Sequence, residues 1–313
     1  MTDGVPWHDG EIAVQRRLGF ADSAEPRGLN IRDFMPDQHR VFFAQLPFAV
    51  LGALDRAGNP RATILSGAPG FLSSRDAKTL HVGSYPVDGD PTVEGLAVGR
   101  RVALLGIELP TRRRNRMNGR IVDLDLSGFT VAVEQSFGNC PQYIQRRDYG
   151  PHRAAPSTRA DPIAVNDGWA LDLIRHADTA FVASSTAPGG SQTGAGVDVS
   201  HRGGRPGFIR VAADGTLEIP DYRGNRYFNT LGNFVAYPRV GLLVVDFQTG
   251  DLLQMTGAVD IVWDGPQVDV VSGAERLWRL KPTRMIRLRG RFPLLLGPPE
   301  FSPLLRAQPE PRM

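Results

Sequence analysis

The sequence predicts a mainly β protein made of two tandem copies of one small-barrel module, with short flanking helices. Three observations carry this. First, the chain repeats itself in order. Ala68-Pro69-Gly70-Phe71 answers Arg205-Pro206-Gly207-Phe208, and residues 80–85 answer 217–222, each 137 positions later. Residues 101–108 answer 239–246, and Met117-Asn118-Gly119 answers Met255-Thr256-Gly257, each 138 positions later. That period is too long for a solenoid unit and is the size of a small domain. Second, short apolar runs alternate with Gly, Pro, Asn and Asp turn signals at regular spacing, as in small barrels. Third, no stretch of eighteen apolar residues exists, so no membrane span is expected.

The elements follow in order. Residues 1–35 read as an N-terminal arm, with a short helix over 11–20 after Asp9. Pro36-Asp37-Gln38-His39 opens a second helix, with Pro at its first turn and Val41, Phe42 and Phe43 behind it. Residues 47–54 read as a buried strand, 55–60 as a turn and 61–66 as the return strand. Further strands are expected at 79–82, 101–108, 118–125 and 130–136, closing a first barrel over 36–147. Arg112-Arg113-Arg114-Asn115-Arg116 reads as a solvated hairpin turn. No aromatics interleave with it, so it does not read as a nucleic-acid surface. Residues 148–168, rich in Pro, Arg, Ala and Ser, read as a linker. A second barrel over 169–296 starts with a helix at 169–176. It continues with strands at 180–184, 207–211, 216–219, 240–247 and 252–262, then a helix over 272–280. Residues 284–291 read as a last strand with a basic, solvated face, and 297–313 as an irregular tail.

At 41% hydrophobic and 22% charged, the composition is that of a soluble globular protein, and the N-terminus lacks signal-peptide regions. A cytoplasmic location is the expectation. The single cysteine, Cys140, excludes an internal disulfide and a multi-cysteine metal site. The six scattered histidines show no metal-ligand spacing. No Rossmann fingerprint and no P-loop is present. Lys78 and Lys281 are the only lysines among 36 basic residues, so arginine supplies nearly every cation. Its rigid fork suits phosphate and carboxylate.

The chemistry concentrates in the second copy. Ser200-His201-Arg202 leads through glycines to Arg205-Pro206-Gly207-Phe208. Then come Pro220-Asp221-Tyr222-Arg223-Gly224-Asn225-Arg226, Asn229-Thr230 and Asn233. With Pro47-Phe48-Ala49-Val50-Leu51, Asp55, Gly58 and Pro60 in the first copy, and Pro238-Arg239-Val240-Gly241-Leu242 in the second, this resembles the FMN-binding split-barrel family related to pyridoxamine 5′-phosphate oxidase. The resemblance spans roughly 36–290. It implies two tandem six-stranded split β-barrels, FMN as cofactor, and flavin-dependent oxidoreduction of a small molecule with NAD(P)H as a candidate donor. It also implies the two-fold pairing of relatives, here met within one chain, with a homodimer left open.

The residues agree with that implication. Arg223 and Arg226 flank a glycine and offer cationic donors to a phosphate, and Asn225, Asn229, Thr230 and Asn233 offer neutral ones. Pro220 and Asp221 belong to the same stretch. The first copy has Asp88-Gly89-Asp90 opposite Arg223–Arg226, and Thr63-Ile64-Leu65 opposite Ser200-His201-Arg202. Acidic residues there would repel a phosphate, so the first copy reads as degenerate. It would still lend the other wall through the segment 134–144, with Ser136 and Cys140 facing the ligand. Cys140 reads as a neutral thiol, and His201 as a flavin contact or proton donor. No true oxidase pattern of substrate-binding residues is found, and no catalytic residue or metal is assigned. Two other readings stand beside the enzyme: a non-catalytic flavin carrier or sensor, and a barrel that binds haem or another ligand through a histidine.

Overall fold

The computed structural model describes residues 6–20, 30–152, 160–190 and 193–306. The remaining parts of the arm, the linker (153–159) and the tail (307–313) lie outside the described residues. The arm carries α1 (Asp9–Arg17). The first repeat holds α2 (Asp37–Ala44), β1 (Phe48–Leu54), β2 (Pro60–Ser66), β3 (Leu72–Ser73), β4 (Thr79–Val82), β5 (Arg101–Glu108), β6 (Arg113–Asp125) and β7 (Gly128–Gly138). Then come β8 (Tyr149–His152) and β9 (Ala160–Ile163). The second repeat holds α3 (Gly168–His176), β10 (Thr179–Ser185), β11 (Val197–Gly203), β12 (Arg210–Val211), β13 (Leu217–Tyr222), α4 (Asn229–Ala236), β14 (Arg239–Val245), β15 (Leu252–Val262), α5 (Pro266–Asp269) and β16 (Ala274–Leu288). β17 (Leu294–Leu296) and α6 (Pro303–Arg306) end the described chain.

The two sheets have one topology. The first runs β2-β1-β5-β6-β7-β4-β3 and the second β11-β10-β14-β15-β16-β13-β12, with β9 added on β16. Every pairing is antiparallel. Each sheet is the expected six strands plus a two-residue edge strand, so the fold is two tandem split barrels. The registers match residue for residue. Leu104 pairs Met117 as Leu242 pairs Met255. The same bulge interrupts Asn118/Gly119 and Thr256/Gly257, where a Cβ would stand 2.1 Å from the Ala132 carbonyl oxygen and 2.0 Å from that of Lys281. Only glycine fits there. Gly70 and Gly207 adopt φ of 98° and 87°, and Phe71 and Phe208 fold back on Gly67 and Gly204.

Each barrel has its own core. Phe42, Phe43, Leu51, Leu104 and Met117 belong to the first, and Val182, Phe234, Leu242, Met255 and Trp278 to the second. A third apolar cluster joins the repeats, where Val50, Ile64 and Leu105 meet Phe181, Val199 and Leu243. The pseudo-dimer interface therefore lies within one chain.

The expected linker carries β8 and β9, paired with β17 and β16, and the expected irregular tail carries α6, so local Pro and Arg content did not prevent pairing. Two further expectations fail. Residues 272–280 are not helical: Ala274–Leu288 is one long strand, hydrogen-bonded to β13 and β15. Glu275, Arg276 and Lys281 favour helix locally, but burial of Leu277, Trp278 and Leu280 between two strands overrides that preference. The run 112–116 is not a hairpin turn either. The turn is Leu109–Thr111, closed by Arg112 at φ 56°, and β6 starts at Arg113. On a strand, alternate residues share a face. So Arg114 and Arg116 leave the first barrel on one side, while Met117 enters its core.

Candidate functional site

A cleft of about 950 Å³, counting its solvent-open mouth, lies at the junction of the repeats. Ser200, His201 and Arg202 of β11 form one wall with Phe208, and Pro220 and Asp221 at the end of β13 continue it. Asn225, Arg226, Asn229 and Thr230 close one end, with the last two opening α4. Cys140 borders it from the first repeat. Five sequence-expected residues lie elsewhere, and one more turns only its backbone toward the first repeat. Ser136 is fully buried in the first repeat and bonded to the His39 ring at 2.8 Å. Asn233 sits below the cleft, donating to Ser184 and Asp198. Arg205, Pro206 and Gly207 follow β11 away from the cleft, and Arg205 donates to the Leu305 carbonyl. Arg223 is exposed, and its carbonyl accepts from the Tyr143 hydroxyl.

Sequence reasoning missed the contribution of β6. Arg116 is buried and donates to Asp198 at 2.9 Å, to Asn229 at 3.1 Å and to Ser200, all in the other repeat. Asn118 donates to Asp198 at 2.7 Å. Arg114 lines the cleft beside them. The spacing 114/116/118 was the available signal, once the segment is taken as a strand rather than a turn. Tyr143, held at φ 63°, stacks on Tyr222 with centroids 5.1 Å apart and makes an aromatic wall across the repeats. Arg276 of β16 also lines the cleft, pairing Asp221 at 2.7 Å.

The N-terminal arm braces this site from behind. α1 crosses α4 so closely that a Cβ on Gly10 would stand 2.2 Å from the Gly232 carbonyl oxygen. Glu11 accepts from Asn229 and from the His8 backbone. Burial, and then the Asp198 charge, push the Glu11 carboxyl up to about 8. Trp7 packs on Tyr227 with centroids 4.9 Å apart, and the Arg226 guanidinium lies 4.3 Å from the Phe20 ring.

The electrostatics are one-sided. Five arginines and two carboxylates line the cleft. Both ring nitrogens of His201, and the Nε atoms of Arg114, Arg202 and Arg276, are buried without a hydrogen-bond partner among the described residues. Burial and the neighbouring Arg114, Arg202 and Arg147 hold the His201 ring well below its ordinary pKa, so it is neutral at pH 7. The pseudo-symmetric junction, built from β2 of the first repeat and β15 of the second, answers the same positions differently. Thr63 and Gln254, the counterparts of Ser200 and Arg116, both donate to Asp90, a buried carboxylate of the chain itself. Leu65 and Leu252 stand where Arg202 and Arg114 stand in the other. The degenerate copy thus carries its own internal anion and an apolar continuation.

Among the described residues no group of three or more His, Cys, Asp and Glu is placed to hold a metal, and no helix is long and apolar enough to cross a membrane. No family model and no curated protein matches the chain. Solved structures similar to parts of it include HupZ of Group A Streptococcus, with 14% identity, 39% of this chain, 98% of that chain and TM-score 0.31. A candidate pyridoxamine 5′-phosphate oxidase from Lactobacillus delbrueckii has 18% identity, 35% of this chain, 97% of that chain and TM-score 0.27. The conserved hypothetical protein Rv2991 from Mycobacterium tuberculosis has 17% identity, 44% of this chain, 91% of that chain and TM-score 0.29. The fold assignment rests on the two sheets themselves.

Proposed function

We propose that the cleft binds FMN and that the protein is a flavin-dependent oxidoreductase acting on a small molecule. The observation that carries this is the donor set of one cleft: a surplus of arginine, the open end of α4, and a stacked tyrosine wall. These suit a flat ligand with a dianionic end. The unmet nitrogens of His201, Arg202 and Arg276 fit a polar ligand and do not fit an empty apolar gap. Arg226, Asn225, Asn229 and Thr230 would hold the phosphate and ribityl chain. Tyr143 and Tyr222 would flank the ring, and neutral His201 would give or accept one hydrogen bond. Bound flavin supplies hydride chemistry, and the protein supplies position and electrostatics. Arg116 fixes Asn229 and Ser200, so the cofactor wall depends on both repeats.

The test is the absorption spectrum of protein reconstituted with FMN, followed by anaerobic NAD(P)H. Bound oxidised flavin that bleaches with NAD(P)H supports the reading. Flavin that binds but never bleaches or turns over with any donor leaves a carrier or sensor. A second reading rests on His201, whose two unmet nitrogens in a buried cleft would also suit a ligand to haem iron. A Soret band with no flavin uptake would replace the first reading by the second.

A further inference from the structure

β6 of the first repeat and β11 of the second face each other across the junction in three rungs, each two residues and about 6.7 Å from the next. In the first, Asn118 meets the Asp198 carboxylate at 2.7 Å. In the second, Arg116 meets the Ser200 hydroxyl. The third brings together Arg114 and Arg202, two cations, at the cleft. The Arg114 Nε is buried without a hydrogen-bond partner among the described residues. Arg202 donates from Nη1 to the His201 carbonyl at 3.2 Å, its Nε is unmet, and its one carboxylate approach is 3.6 Å to Asp221, which Arg276 already holds at 2.7 Å. His201, 3% exposed and with both ring nitrogens unmet, and Asn139, with Nδ2 unmet, line the same cleft. Burial, then Arg202 and Arg116, pull the Arg114 pKa down to about 9, which leaves it charged at pH 7. Two like charges in a low-dielectric wall are unfavourable unless an anion joins them. At the pseudo-symmetric junction the same rung is Leu65 of the first repeat and Leu252 of the second, both buried, so the fold does not require charge there.

We infer that the Arg114–Arg202 rung, with His201 and Asn139, is a second anion site, distinct from the one at Arg226 and α4, that seats the carboxylate or phosphate of the substrate. The substrate class is therefore a small organic anion. Its assignment to a substrate rests on the flavin reading, whereas the anion site itself does not.

The experiment titrates FMN-reconstituted protein with oxalate and, separately, with inorganic phosphate, following flavin absorbance and melting temperature. Wild type should bind one anion per chain with the cofactor in place. Arg114→Gln should lose at least tenfold in anion affinity, with FMN affinity within threefold of wild type. Without anion it should melt no lower than wild type, since a like-charge contact is gone. Arg114→Lys should keep most of the anion affinity. Preference for oxalate marks a carboxylate substrate and preference for phosphate a phosphorylated one. The inference is overturned if the loaded protein binds neither anion, or if Arg114→Gln weakens FMN as much as the anion, which would make Arg114 part of the cofactor site. Should the protein take up no FMN, the melting shift with the same two anions still reads the rung, and only the flavin reading falls.

Discussion

Removing Arg116 tests whether the site is built across the repeats. In Arg116→Met the apolar stem remains, but Asp198 loses its only ion-pair partner in the described chain. Both side chains are buried, at 4% and 9% exposure. Removing one partner of a buried pair costs about 3–5 kcal/mol, because the other charge is left uncompensated. Asp198 keeps amide donors from Asn118 and Asn233, which places the expected loss at the lower end, about 3 kcal/mol. The assay is urea unfolding at pH 7, read from the midpoint at constant slope. Adding Asp198→Asn to the same chain removes the stranded charge and should return at least about half of the loss. A cost below about 1 kcal/mol, the level of a surface pair, would refute the buried cross-repeat pairing. So would a double variant as unstable as the sum of the single ones.

Three further outcomes are expected. Burial raises the folded pKa of Glu11 to about 8 from its ordinary value of 4.5, so the folded state holds a proton that the unfolded chain releases between those values. Its contribution to stability therefore falls as pH rises from about 5 to 8 and then levels. The difference in melting temperature between Glu11→Gln and wild type should grow in the variant's favour over that window, and a constant difference would contradict the buried acid. Arg226→Ala should weaken FMN roughly ten- to a hundred-fold, whereas Asp88→Ala, on an exposed turn of the first repeat, should change it little; equal losses, or two flavins per chain by absorbance, would contradict one degenerate copy. Cys140→Ser should keep its FMN and most NAD(P)H-dependent turnover, because Cys140 borders the cleft and serine keeps its size. A thousand-fold fall in turnover with flavin retained would make the thiol chemical.

The repeat, the strand order it implies and the asymmetry of the two copies were legible in the chain. Each rests on local chemistry: glycines at the same bulge, apolar alternation, and Asp88-Gly89-Asp90 set against Arg223–Arg226. Ser200 to Arg202 and Asn225 to Thr230 could be found for the same reason, since they are close in sequence and share one edge of one barrel. Residues 272–280 read as helix because propensity is local, whereas strand pairing to β13 and β15 is not. The duplication itself held the correction, as β7 occupies the same place in the first repeat. Arg114 and Arg116 read as solvent-facing because no carboxylate close to them in sequence marks a partner. The partner of Arg116 is 82 positions away in the other repeat. That pairing depends on how two barrels dock through an apolar face of Val50, Leu105, Val199 and Leu243, and the sequence of either barrel leaves the angle of docking open. Tertiary structure alone therefore decided that a basic run is a wall of the cleft, that Asp90 fills the silent site, and that Ser136 turns inward to His39. The physical reason is that periodicity reports which residues leave water, and only packing reports what they meet when they do.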